Sequence, residues 1–153
     1  MNTPPGFYGK VPVLGDFVSR RLSPVFIRCW DDWLSRSIAE SRAGLGDDWL
    51  EKYLTSPVWR FALGPGLCGE PGWVGVMIPS VDRVGRYFPL TLAGSTATGT
   101  PLSWPLLEGD AWLDRLEDLA LSALGDHFDL EAFDRMLCEH RWPGEVDAIT
   151  AAT

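Results

Sequence analysis

The chain is short of the residues that most often carry bond chemistry: its 153 residues hold two histidines and three cysteines. Nucleophilic catalysis needs a serine or cysteine with an imidazole base in reach. His127 and His140 are the only bases on offer, both lie in an acidic helical region, and Ser80 lacks the GxSxG elbow. Cys29, Cys68 and Cys138 are widely separated and in no CxxC arrangement, so they read as reduced thiols of a cytoplasmic protein. Cys138 and His140 stand two residues apart, on different sides of a helix, and no second pair has zinc spacing. No metal site is expected. Acidic pairs such as Glu117-Asp118 lack EF-hand spacing and read as solvated helix faces. No run of about 18 apolar residues occurs, and no charged-then-apolar leader follows Met1. The expectation is a cytoplasmic chain that inserts into no membrane.

What is present is a core. The apolar fraction is 46% against 22% charged, enough to bury surface that offsets the ordering entropy. The length suits one domain, expected over residues 7–142, with a flexible N-terminus at 1–6 and a flexible tail at 143–153. Eight tryptophans imply a core or an interaction surface built around large amphipathic rings. The net charge of −8 is uneven: residues 108–147 hold twelve acidic side chains against three basic, and the first 107 residues are close to neutral. Such a block repels phosphate backbones and anionic lipid, which argues against nucleic acid as a partner.

Two short strand-like runs, 7–11 and 16–22, flank a turn at 12–15. Ser23 and Pro24 open a helix as N-cap and first residue, and apolar positions from Phe26 to Ile38 recur every three or four residues. Gly44 is placed to end it. A shorter helix follows, capped by Asp47 or Asp48 and closed before Pro57. Then the period changes: VWRFALG, GWVGVMIP and GRYFPLTLAG read as a three-strand meander with SVDRVG as the last turn. Residues 96–105 read as a surface connection. Trp112 to Leu124 makes a wide apolar stripe ended by Gly125, and Asp129 caps a final helix stopped by Pro143. The order β-β-α-α-β-β-β-α-α predicts an α+β fold: a mainly antiparallel sheet of about five strands with helices packed on it.

The segment from Gly64 to Gly69 formally matches GxGxxG, but a strand-like run follows where a dinucleotide site needs a helix. A hairpin loop is the better reading, and no cofactor is expected. That leaves Asp16, Arg20 and Arg21 in one passage and Asp82, Arg83 and Arg86 in another. An Asp paired with an Arg of the other passage would staple the turn to the sheet. Alternatively Arg20, Arg83 and Arg86, with Asp16 and Asp82, form an exposed patch flanked by Tyr87, Phe88 and Trp73 that docks on a protein.

Several long strings carry a resemblance: FYGKVP at 7–12, GDFVSRR at 15–21, Trp30-Asp31-x-Trp33, SPVWRFALGPG at 56–66 and GVMIPSVDRVGRYFPLTLAG at 75–94. In this order they resemble the TagF/ImpM proteins of bacterial type VI secretion. The later helices match only in general character, and Val13-Leu14 replaces a more polar pair. The resemblance implies a cytoplasmic, non-enzymatic, posttranslational negative regulator that binds and sequesters the forkhead-associated scaffold protein. Two alternatives stand beside it: a small hydrolase or phosphatase-like enzyme using Asp82 with His127 or His140, and a longin- or profilin-like module that forms a homodimer.

Overall fold

The computed structural model describes residues 3–96 and 109–141. The expected flexible tail at 143–153, the connection from 97 onward and the stop at Pro143 lie outside the described residues, as do residues 1 and 2 of the N-terminus. Five strands, β1 (Gly6–Gly9), β2 (Val18–Arg20), β3 (Trp59–Leu63), β4 (Trp73–Ile78) and β5 (Leu90–Ser95), form one antiparallel sheet in the order β2-β1-β5-β4-β3. Helices α1 (Pro24–Leu45), α2 (Trp49–Leu54), α3 (Asp110–Ser122) and α4 (Leu130–Glu139) complete the predicted order. The fold is α+β, as the pattern predicts.

The strands read as near-continuous apolar runs because both faces of the sheet are covered. On one face Phe7, Val74, Val76, Ile78, Leu90 and Leu92 pack against α3 and α4 through Leu113, Leu116, Phe133 and Leu137. On the other, Tyr8, Trp73 and Ala93 meet Phe26, Trp30 and Leu34 of α1. The period-two alternation of the strands sorts these side chains, so Phe7 and Tyr8 serve opposite layers. Gly75 of β4 sits close against β5: a Cβ there would lie 2.2 Å from the Leu92 carbonyl oxygen. Of the eight tryptophans, four (Trp30, Trp49, Trp73 and Trp112) belong to the core, while Trp33 and Trp59 stay about half exposed.

Helix starts follow their local chemistry. Ser23 Oγ accepts the Phe26 amide at 3.1 Å and Asp129 Oδ1 accepts that of Glu131 at 3.0 Å. Other boundaries move. α1 runs through Gly44, and it is Gly46, with a positive φ of 56° that favours glycine, that ends it. Neither Asp47 nor Asp48 caps α2 through its side chain, because a 3-10 turn (Gly46–Asp48) leads directly into it. The last strand begins at Leu90, five residues later than Gly85, since the turn chemistry described below occupies the intervening residues.

The cysteine expectation is overturned for two of the three. Cys29 of α1 and Cys68 of the β3–β4 loop form a disulfide, with Cα atoms 5.6 Å apart, and only Cys138 is a free thiol. A separation of 39 residues leaves no local signature; the sheet order alone brings the loop onto α1. The GxGxxG segment is that loop, and β4 follows it. No helix among the described residues is long and apolar enough to cross a membrane.

Candidate functional site

The turn between β4 and β5 is built around a buried carboxylate. Asp82 is 2% exposed, while Arg83, Val84, Gly85 and Arg86 around it are exposed. Its Oδ1 accepts the main-chain N–H groups of Val84 and Arg86, both at 3.0 Å. Its Oδ2 accepts Arg86 Nε at 2.8 Å and faces Lys10 Nζ at 3.1 Å. Burial alone would raise the carboxyl pKa, but the amide bonds and the Lys10 ammonium outweigh it and hold the group well below the usual carboxylate range. The main chain closes through Asp82 N–H to the Arg86 carbonyl at 3.0 Å, and Gly85 adopts a φ of 91° that a side chain would strain.

This turn is tied to the one near residue 15. Arg83 N–H donates to the Leu14 carbonyl at 2.8 Å, and Arg86 Nη2 donates to that of Gly15 at 2.7 Å. The Arg83 guanidinium lies over Gly15, where a Cβ would stand 3.1 Å from its Nη2. Asp16 is exposed and accepts the Phe17 amide at 2.8 Å. Phe17, 43% exposed, stacks on Tyr8 with centroids 5.4 Å apart and meets Phe88 edge-on at 5.0 Å, with Lys10 Nζ 4.9 Å from its centroid.

The sequence-derived candidates therefore separate. Asp82 is the staple, pairing with Arg86 of its own segment and with Lys10 across the sheet. Arg83 and Arg86 form the exposed tip. Arg20 points elsewhere: its guanidinium binds Glu131 Oε1 at 2.7 Å and Asp134 Oδ2 at 3.0 Å on α4. Tyr87 is half-buried and Phe88 buried beside the tip, whereas Trp73 lies at the far end of β4, its indole N–H on the Cys68 carbonyl. Trp73 does not flank the patch. Lys10 and Phe17 belong to this region and were missed, because a lysine one residue past a strand and an aromatic in a turn look ordinary in sequence.

The histidines stand apart from Asp82. His140 stacks on Trp112 at 5.4 Å and its Nε2 donates to the Trp112 carbonyl at 2.8 Å, while Trp112 Nε1 returns a bond to the His140 carbonyl at 3.2 Å. Burial lowers its pKa. His127 lies exposed in the turn between α3 and α4. Neither imidazole is among the hydrogen-bond partners of the Asp82 carboxylate. The described residues contain no group of histidine, cysteine, aspartate and glutamate arranged to hold a metal ion.

A family model, TagF N-terminal domain, type VI secretion system-associated, matches residues 6–139. The chain belongs to this TagF family. The crystal structure of PA0076 from Pseudomonas aeruginosa PAO1 is similar to it, with 45% identity and a TM-score of 0.87 over 91% of this chain. The chain spans 63% of the length of that relative. No curated protein matches the chain.

Proposed function

We propose that this TagF-family domain is a cytoplasmic, non-enzymatic negative regulator of type VI secretion that binds and sequesters the forkhead-associated scaffold protein. The observation that carries the reading is the match of a type VI secretion-associated family model along almost the whole described chain. The turn at 82–86 supports it by supplying a suitable contact. Arg83 and Arg86 are presented on a loop already fixed by Asp82, so little conformational freedom is lost on docking. Val84, 66% exposed, stands between them as an apolar contact.

The test is capture of the scaffold protein from the same secretion cluster by the immobilised chain. Arg83→Glu is the clean variant, since its guanidinium has no carboxylate partner among the described residues, whereas reversing Arg86 would set a second carboxylate against Asp82. Arg83→Glu is expected to lower capture at least tenfold with the melting temperature unchanged. Undiminished capture removes the tip from the interface, and no capture by the wild type removes the scaffold as partner. The Cys29–Cys68 disulfide bears on the cytoplasmic part of this reading: alkylation of intact cells that finds the pair mostly bonded would place the protein in an oxidising compartment.

A further inference from the structure

Two cavities lie along α1 on the side that faces α2 and the 82–86 turn, and Ile38 lines both. The first, of about 420 Å³, is walled by Trp33, Leu34, Tyr53, Trp59 and Met77. All of its hydroxyl groups except that of Ser37 are already engaged. Tyr53 donates to the Ser80 carbonyl at 2.7 Å and accepts the Ser80 amide at 2.9 Å. Ser41 donates to the Ile38 carbonyl and accepts Trp49 Nε1 at 2.8 Å, and Ser56 donates to the Lys52 carbonyl. What remains for an occupant is the Ser37 hydroxyl and a largely apolar surface, with Trp33 47% and Trp59 54% exposed. Large aromatic rings left in water at the mouth of a concave site are the side chains that anchor protein contacts.

The second cavity, about 550 Å³, has the opposite character, since Arg42 and Arg86 both line it. Arg42 lies over Trp49, its guanidinium carbon 4.0 Å from the ring centroid. No carboxylate among the described residues pairs with it. Arg86 gives Nε to Asp82 and Nη2 to the Gly15 carbonyl, which leaves Nη1 uncommitted. Two guanidinium groups converging on one concave site, with one buried carboxylate behind them, favour an anion in front. Tyr53 of the first cavity stacks on Trp49, and Tyr87 of the second meets both rings edge-on, so the spacing of the two cavities is held by packed rings.

We propose that this side of α1 is a two-part docking groove for an acidic segment of a partner protein, one placing a bulky apolar side chain in the first cavity and a carboxylate on Arg42 and Arg86. A free anion would satisfy only the second cavity and an apolar small molecule only the first. A polypeptide supplies both at a fixed spacing. The inference goes beyond the regulator reading because it holds whichever protein carries the segment.

The probe is a phage-displayed library of random twelve-residue peptides selected on the full chain, with fluorescein-labelled winners titrated by anisotropy. Enriched sequences are expected to carry Trp, Phe or Leu within about four residues of Asp or Glu. Arg42→Glu and Trp59→Ala are each expected to raise the Kd at least tenfold, and 1 M salt is expected to do the same by screening the carboxylate contact in the second cavity. Melting curves of the variants confirm folding, and Trp33→Ala replaces Trp59→Ala if the latter unfolds. The proposal is overturned by selection of peptides without acidic residues, by binding that ignores these substitutions, or by no enrichment. Light scattering that shows an Arg42-dependent dimer would overturn it too, making a second copy of the chain the occupant.

Discussion

Arg60 and Arg42 carry the same guanidinium group and are used in opposite ways. Arg60, on β3, reaches Asp110, Asp114 and Glu117 along one face of α3. Arg20 and Arg21, on or beside β2, do the same for Glu131 and Asp134 of α4. Five carboxylates of the acidic C-terminal third are thereby paired with arginines from the nearly neutral first part. Arg42 and Arg83 have no carboxylate partner among the described residues. The difference teaches that the charge block is partly internal glue joining the helices to the sheet, and that Arg42 and Arg83 stay available on a surface where a partner could be read.

The sharpest way to break this contrast is to convert a paired cation into an unpaired one inside the fold. Asp82→Ala leaves Lys10, 7% exposed, and Arg86 without their carboxylate and two turn amides without an acceptor. Its melting temperature is expected to fall by about 10 °C, measured by circular dichroism. A loss under about 2 °C would mean that the turn holds without its staple.

Arg60→Ala should cost less, about 1–2 kcal/mol in urea unfolding, because Asp110 and Asp114 are 75% and 69% exposed and well screened. Most of the loss is assigned to Glu117, 25% exposed, so Glu117→Gln should reproduce over half of it. Acid sharpens the same point. The Glu131 and Asp134 carboxyls are held below their ordinary values by Arg20, and by Arg21 for Asp134, against the opposing effect of burial. Their contribution is therefore present above the unfolded carboxylate pKa of about 4 and is lost as pH falls through the depressed folded values. The stability gap between wild type and Arg20→Ala, seen at pH 7, should close as pH falls below about 4. A gap that persists at pH 2 would show that Arg20 acts by packing.

The smallest effect belongs to the unpaired group. Arg42→Ala and Arg83→Ala should change unfolding free energy by no more than about 0.5 kcal/mol. A larger loss in either would show that it has a structural use after all.

Much of the fold was legible because it rests on signals that act within a few residues. Ser23-Pro24 and Asp129 open helices where the sequence puts them, and WVGVMI reads as a strand because it is an apolar run bounded by glycine and proline. The string from Ile78 to Leu92 announced a turn of fixed chemistry. It did not announce which partner Asp82 takes, since Arg86 lies four residues away but Lys10 lies far along the chain. Glu117 looked like a solvated helix face for the same reason: its partner Arg60 is 57 residues distant.

By itself the sequence determined the order of strands and helices, the family, and a turn at 80–85 that carries Arg83, with Arg86 next to it. Tertiary structure alone decided that Cys29 meets Cys68, that Arg60 neutralises α3, and that Arg42 faces a cavity without a counter-charge. Capping and periodicity are settled by neighbours along the chain. Pairing of charges and thiols is settled by which strand lies beside which helix, and that follows only when the whole sheet has closed.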